Sequence, residues 1–404
     1  MTASRPSHSA QGAAPVEGVS PSASDLIGPL REALTSGAGF AVPPFPARVL
    51  FGAGALDRLP ELVDGLGARR VLVLASAGRG ALAERVGALL GTRLVGVETR
   101  AAMHVPGPLA DAVRADVARA GADLVVALGG GSPIGMAKAI ALGGGPPSVA
   151  VPTTYSGSEM TPIWGMTRGG AKETGRDERV RPRAVLYDPA LTLDLPPRVA
   201  GPSALNAVAH CVEALYAPDA SPLVALAAAE GLRALAASAP RVVRQPADLA
   251  ARTEALYGAW LAGLSLGAAT MGLHHKLCHV LGGSFGLPHA ETHAVVLPHA
   301  IAYNAAAAPA AMGVAARALD GARDGGARSA IGVPRALHAL LLDVAGPARA
   351  PTSLRELGLL EGDLDRVAEI AAARPYPNPR PVRADALREL LARAYAGLAP
   401  ADDA

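Results

Sequence analysis

Between Arg48 and Tyr187 short apolar runs alternate with stretches of helical spacing, and beyond Asp188-Pro189 the alternation stops. Val71-Leu72-Val73-Leu74-Ala75 and Leu124-Val125-Val126-Ala127-Leu128 are unbroken apolar runs of strand length. Runs of that kind belong to parallel strands covered on both faces. Arg48–Gly52, Leu94–Val97 and Ser148–Val151 read as further strands, and 56–66, 81–90, 108–120 and 134–142 read as the helices between them. From 203 onward the spacing is helical almost to the end, notably over 203–216, 222–237 and 249–266. The expected architecture is therefore an α/β domain over 41–190, with a parallel sheet, followed by an all-α domain over 191–404. Residues 1–40 are expected to be a disordered extension, since the first 24 are mostly Ser, Ala, Pro and Gly and lack an apolar signal-peptide core.

The charge balance, 37 Lys and Arg against 35 Asp and Glu, leaves no basic footprint for nucleic acid. The two cysteines, Cys211 and Cys278, lie inside apolar helical patterns, which argues against a disulfide-stapled secreted protein and for a reducing cytoplasm. No run reads as long and apolar enough to cross a bilayer, so no membrane association is expected. Aromatic residues make up 3% of the chain, so packing must rest on Leu, Val and Ala.

The strand ending at Leu128 runs directly into Gly129-Gly130-Gly131-Ser132-Pro133, with a helix expected from Ile134. Glycines allow close backbone approach, and a helix N-terminus attracts anions such as a pyrophosphate, so this turn is a candidate dinucleotide site of Rossmann-like type. The residues alone are equally compatible with an ordinary strand-to-helix turn, because they do not spell G-x-G-x-x-G. The next strand ends in Pro152-Thr153-Thr154-Tyr155-Ser156-Gly157-Ser158-Glu159, where small hydroxyls sit at the carboxyl end of the sheet. Ser156-x-x-Glu159 fits a helix capping box, which gives Glu159 a capping role. The charged stretch 168–183, with Lys172, Arg176, Arg179, Arg181 and Arg183, reads as a solvated loop.

Four of the ten histidines fall in 274–289: His274, His275, His279 and His289. Residues four apart lie one above the other on a helix, so His275 and His279 can face one cavity. Asn206 and His210 repeat that spacing on an earlier helix. An isolated histidine is usually a hydrogen-bonded core or surface residue. The clustering reverses that reading here.

Taken together these motifs resemble the iron-containing alcohol dehydrogenase superfamily, and within it the maleylacetate reductase branch, over roughly residues 45–400. Shared with the superfamily are Gly129-Gly130-Gly131-Ser132, Pro152-Thr153-Thr154, and His275-x3-His279 followed by Pro288-His289. Closer to the branch are Met103-His104-Val105-Pro106, Thr153 to Pro162, Thr174-Gly175-Arg176-Asp177 and Asn206-x3-His210. The resemblance implies a dinucleotide-binding α/β domain, a helical domain, a site in the cleft between them, and a homodimer.

Metal-dependent members hold a divalent cation with an aspartate and three histidines. His210, His275 and His289 match the histidines, and Asn206 stands where the aspartate belongs. An amide offers only a neutral carbonyl oxygen, so the expectation is a site working without metal, as the resemblance implies for the branch.

The implied reaction is reduction of the conjugated C=C bond of maleylacetate, a dicarboxylate, to 3-oxoadipate by NADH or NADPH, as part of aromatic-compound breakdown. His210, His275, His289 and Asn206 are then donors to the enolate oxygen or the carboxylates, and His279 the proton donor. Gly129, Gly130, Gly131, Ser132, Thr153, Thr154 and Lys172 are the cofactor-binding set that the resemblance implies. No acidic side chain follows the strand at 71–75, where Ser76-Ala77-Gly78-Arg79 stands, so both cofactors are expected to serve. The competing readings are a metal-dependent alcohol dehydrogenase of the same fold, a dehydroquinate synthase-type cousin, and a nucleotide-sensing protein without turnover.

Overall fold

The computed structural model describes residues 48–169, 171–322 and 332–401, so the extension expected over 1–40 lies outside the described residues. Eight strands are present among the described residues: β1 (Arg48–Phe51), β2 (Val71–Ala75), β3 (Leu94–Glu98), β4 (Leu124–Gly129), β5 (Ser148–Pro152), β6 (Ile163–Arg168), β7 (Ala171–Arg176) and β8 (Ala184–Tyr187). Six form one parallel sheet in the order β1-β8-β5-β4-β2-β3. Helices α1 (Leu59–Gly65), α2 (Gly80–Leu90), α3 (Gly107–Arg119) and α4 (Gly131–Leu142) connect its strands.

The chain runs from β2 outward to β3, then returns past β2 to β4 and continues to β5. That reversal opens a crevice at the carboxyl ends of β2 and β4, where doubly wound sheets take ligands.

Every residue of β2, β4, β5 and β8 is buried, as the apolar runs require of a sheet covered on both sides. Alternate residues feed two cores. Val71, Val73, Leu124, Val126, Val149 and Leu186 pack with Leu59 and Val86 of α1 and α2 on one face. Leu72, Leu74, Val125, Ala127 and Val185 on the other face join a core continuous with the helical half, through Leu205, Val208, Leu232 and Leu256.

That half comprises α5 (Pro197–Leu215), α6 (Pro222–Arg244), α7 (Leu249–Ala268), α8 (Leu273–Phe285), α9 (His289–Ala305), α10 (Pro309–Asp320), α11 (Val333–Ala348), α12 (Leu364–Ala372) and α13 (Ala384–Ala396). With few aromatic rings, close approach replaces bulk. A Cβ at Gly231 of α6 would stand 2.9 Å from Cys211 Sγ and 3.3 Å from the Gly258 carbonyl of α7, and one at Gly258 would stand 3.1 Å from the Gly231 carbonyl.

Three expectations need correcting. The charged stretch 168–183 is not a plain loop: β6 and β7 pair as an antiparallel hairpin with Thr167 opposite Lys172. Its polar residues hid the strand signal because the hairpin stands apart from the main sheet. Glu159 does not cap a helix: its carboxylate, fully buried, accepts from the Tyr187 hydroxyl at 3.0 Å, and only a short 3-10 turn, Ser158–Met160, follows Gly157. Finally, α6 is long and apolar enough to cross a membrane by length and composition, though 61% of its most apolar window is buried inside the protein. Its alanines serve a helix-packed core.

Candidate active site

On the sheet side, β4 passes into α4 with Gly129 at φ +138°. Gly130 lies so close to the next loop that a Cβ would stand 2.9 Å from both Thr154 Cγ2 and Oγ1, while a Cβ at Gly131 would meet nothing within 4 Å. Thr153 donates its N–H to the Gly129 carbonyl at 3.0 Å, and its buried hydroxyl has no partner. The glycine turn and the two threonines are thus one surface at the end of β4 and β5, with the α4 N-terminus open beside it.

The loop after β5 is fixed from three sides. Its Tyr155 N–H donates to Ser203 Oγ of α5 at 3.0 Å. Arg252, fully buried, donates to the Tyr155 hydroxyl at 3.3 Å. Lys138 of α4, also buried, donates to the Ser158 carbonyl (2.6 Å), Thr161 Oγ1 (2.9 Å) and the Ile163 carbonyl (2.7 Å). Gly157, at φ +73°, carries the loop against the helical half, where a Cβ would stand 2.9 Å from Gly263 Cα and 3.4 Å from His210 Nδ1.

His210 belongs to a cup of imidazoles. Ring centroids are 5.1 Å apart for His210 and His275, 5.0 Å for His275 and His293, 4.8 Å for His274 and His293, 4.2 Å for His289 and His293, and 6.3 Å for His275 and His279. The structure therefore brings together four of the histidines expected from sequence, and Asn206 sits one turn before His210 on α5, also buried. His274 stands in the cluster noted from sequence but without a role assigned there, and the sequence reading does not single out His293 or Glu213. His293 repeats the i, i+4 spacing with His289, the signal that singled out His275 with His279.

Burial pushes His210 and His293 well below the ordinary imidazole value, and the neighbouring imidazoles add to it. His274 is pushed down to about 4, chiefly by burial, against the opposing pull of Glu213. His279 and His289 are lowered by the surrounding protein, by His275 and by the charge of Lys172, although both rings keep solvent-accessible surface at the rim, which limits the effect. His210, His274 and His293 are thus held as neutral rings, each with a buried nitrogen that has no hydrogen-bond partner.

Lys172 reaches this rim from the hairpin, which is clamped to the loop before α3. Thr167 donates its hydroxyl to the His104 carbonyl and its N–H to the Val105 carbonyl, both at 3.1 Å. His104 and Val105 both adopt positive φ, +61° and +45°. That conformation is unfavourable for a β-branched residue, and the clamp holds it.

Two family models match the chain, iron-containing alcohol dehydrogenase over residues 46–189 and the C-terminal part of the same family over 202–395. The chain belongs to the iron-containing alcohol dehydrogenase family. It is 53% identical over 353 residues to the maleylacetate reductase of Burkholderia cepacia, covering 87% of this chain and 97% of that one. It is 48% identical over 361 residues to the maleylacetate reductase of Sphingobium indicum, covering 89% and 99%. The solved maleylacetate reductase of Agrobacterium tumefaciens superposes with a TM-score of 0.83 at 45% identity, covering 90% of this chain and 100% of that chain.

Family membership overturns the expectation of a metal-free site, since both matching models describe an iron-containing family. The donor set agrees with a metal. Asn206 Oδ1, His210 Nδ1, His275 Nε2 and both nitrogens of His293 are buried without hydrogen-bond partners, and ligand atoms of His274, His275 and His293 lie within 4.8 Å of one another. Losing the aspartate's charge at 206 leaves a carbonyl oxygen in place, and neutral imidazoles suit iron or zinc.

Proposed function

We propose that this protein reduces the conjugated double bond of maleylacetate with NADH or NADPH, giving 3-oxoadipate in the breakdown of aromatic compounds. The observation that carries the reading is the seat of Gly157 against His210, which joins the nucleotide end of the sheet to a cup of neutral imidazoles. Relatives named as maleylacetate reductases over nearly their whole length support the substrate.

In this reading the α4 N-terminus and the turn Gly129 to Ser132 hold the pyrophosphate, with Thr153 and Thr154 beside it. A bound nicotinamide would supply hydride to the alkene carbon β to the ketone. Negative charge develops on the ketone oxygen, and the α carbon takes a proton.

His210, His275 and His289, with Asn206 beside them, would hold a divalent ion, which when bound would supply Lewis-acid polarisation of that ketone. The chain's own groups do the rest. The buried cup excludes water, and Lys172 at the rim sets a positive charge near the entering dicarboxylate. His279, at the rim where water reaches, is in this reading the proton donor to the α carbon. Negative charge arriving with the substrate opposes the depression of its proton affinity.

The test is nicotinamide oxidation followed at saturating maleylacetate, with 3-oxoadipate identified as product. Turnover of simple alcohols or aldehydes with no activity on maleylacetate would sink the reading.

A further inference from the structure

The Glu213 side chain lies on α5 one turn beyond His210 and is fully buried. Its Oε1 accepts from the His274 N–H at 2.9 Å and the Tyr216 hydroxyl at 3.2 Å, and its Oε2 accepts from the His275 N–H at 3.3 Å. Oε2 also makes a short hydrogen bond to His275 Nδ1. Helix α8 has no side-chain cap of its own. One carboxylate from α5 therefore does two jobs: it meets the orphan N–H groups of the first turn of α8, and it holds a ring of that same turn.

Four hydrogen bonds satisfy the carboxylate, so it persists as an anion inside the protein. An ionised carboxylate is acceptor-only, so the proton in the bond to His275 sits on Nδ1. A neutral imidazole has one N–H, and the other nitrogen, Nε2, is then a bare lone pair. Nε2 of His275 is buried and has no partner.

We infer that Glu213 is a positioning residue of the site, locking His275 into the Nδ1–H tautomer so that Nε2 faces the cup only as an acceptor or ligand. The inference rests on the cup being the active site proposed above. It withdraws one expected role: in the Nδ1–H tautomer the Nε2 of His275 has no proton to donate to the enolate oxygen. It also separates His275 from its neighbours, because His210 and His293 have no carboxylate among their hydrogen-bond partners within the described residues.

The direct test is imidazole nitrogen NMR on the zinc-loaded protein labelled at histidine, with the His275 resonance identified by its loss in His275→Ala. A protonated Nδ1 and a proton-free Nε2 are expected. A proton on Nε2 of His275 overturns the inference, whatever the substrate proves to be. Glu213→Gln supplies the second measurement. It should lower affinity for zinc alone, read by chelator competition, by about 10–100-fold, and should lower kcat with maleylacetate while leaving the KM for NADH within about twofold. In a His275→Ala background the same substitution should change zinc affinity by less than about twofold. An equal loss in both backgrounds would show that Glu213 acts by holding up the fold and not through the ring. Failure of the wild-type protein to reduce maleylacetate would count against the proposed function alone, since tautomer and zinc affinity are read without substrate.

Discussion

Gly157 and His210 meet where the sheet's loop reaches the helical half: a Cβ on the glycine would stand 3.4 Å from the imidazole Nδ1 and 2.9 Å from Gly263 Cα. The glycine is also at φ +73°, which a side chain would strain. Gly157→Ala should therefore push the loop away from the cup. We expect kcat/KM for maleylacetate to fall at least about tenfold, with a stability loss of about 1–3 kcal/mol in urea unfolding. Unchanged kinetics would show that loop and cup are not coupled.

Lys138 ties the same loop to the cofactor-side helix through three oxygens. Lys138→Met should cost about 2–3 kcal/mol by stranding buried acceptors. Burial lowers the ammonium to about 7, against 10.5 for an unperturbed lysine. Between those values the unfolded chain binds more protons than the folded one, so stability should rise with pH from about 7 toward 10.5. That slope should be shallower in the methionine variant when unfolding is followed across the window.

The histidine cup predicts acid sensitivity. His274 is pushed down to about 4 from 6.5, chiefly by burial, so the unfolded chain binds the extra proton between these values. Stability should be fully present above pH 6.5 and decline as pH falls toward 4, and bound metal should leave on acidification because protonated rings cannot ligate. His293→Asn should soften the decline by removing one depressed ring. Calorimetry and metal analysis on the same samples would check both halves.

The turn Ser76 to Arg79 after β2 contains no carboxylate to meet a ribose 2′-hydroxyl or repel a 2′-phosphate. NADH and NADPH should therefore give kcat/KM values within about a hundredfold of each other, about 2.7 kcal/mol. A stronger preference for NADH would mean that another group reads the ribose.

Much of this was legible in the residues, and the gaps have physical causes. Strands buried on both faces leave unbroken apolar runs, which is why β2, β4 and β5 could be placed from sequence and the hairpin β6–β7, outside that sheet, could not. The histidines of 274–289 drew notice because they crowd one helix and its neighbour. Glu213 did not, since a lone acid in an apolar helix shows its role only when α8 lays its first turn on it. The Ser156–Glu159 spacing misled because Tyr187, distant in sequence, claims the carboxylate. The amide at Asn206 argues against a metal only while the additional ring of His293 goes uncounted, and that ring joins the cup only when α9 folds back over α8.

The glycines at 231 and 258 leave α6 and α7 with backbone nearly touching backbone. Neither helix can be nudged sideways without a collision, so the frame behind the imidazoles behaves as a fixed jig. Room for a bulkier diacid would therefore come more readily from the loops at 103–106 and 153–161 than from shifting that jig.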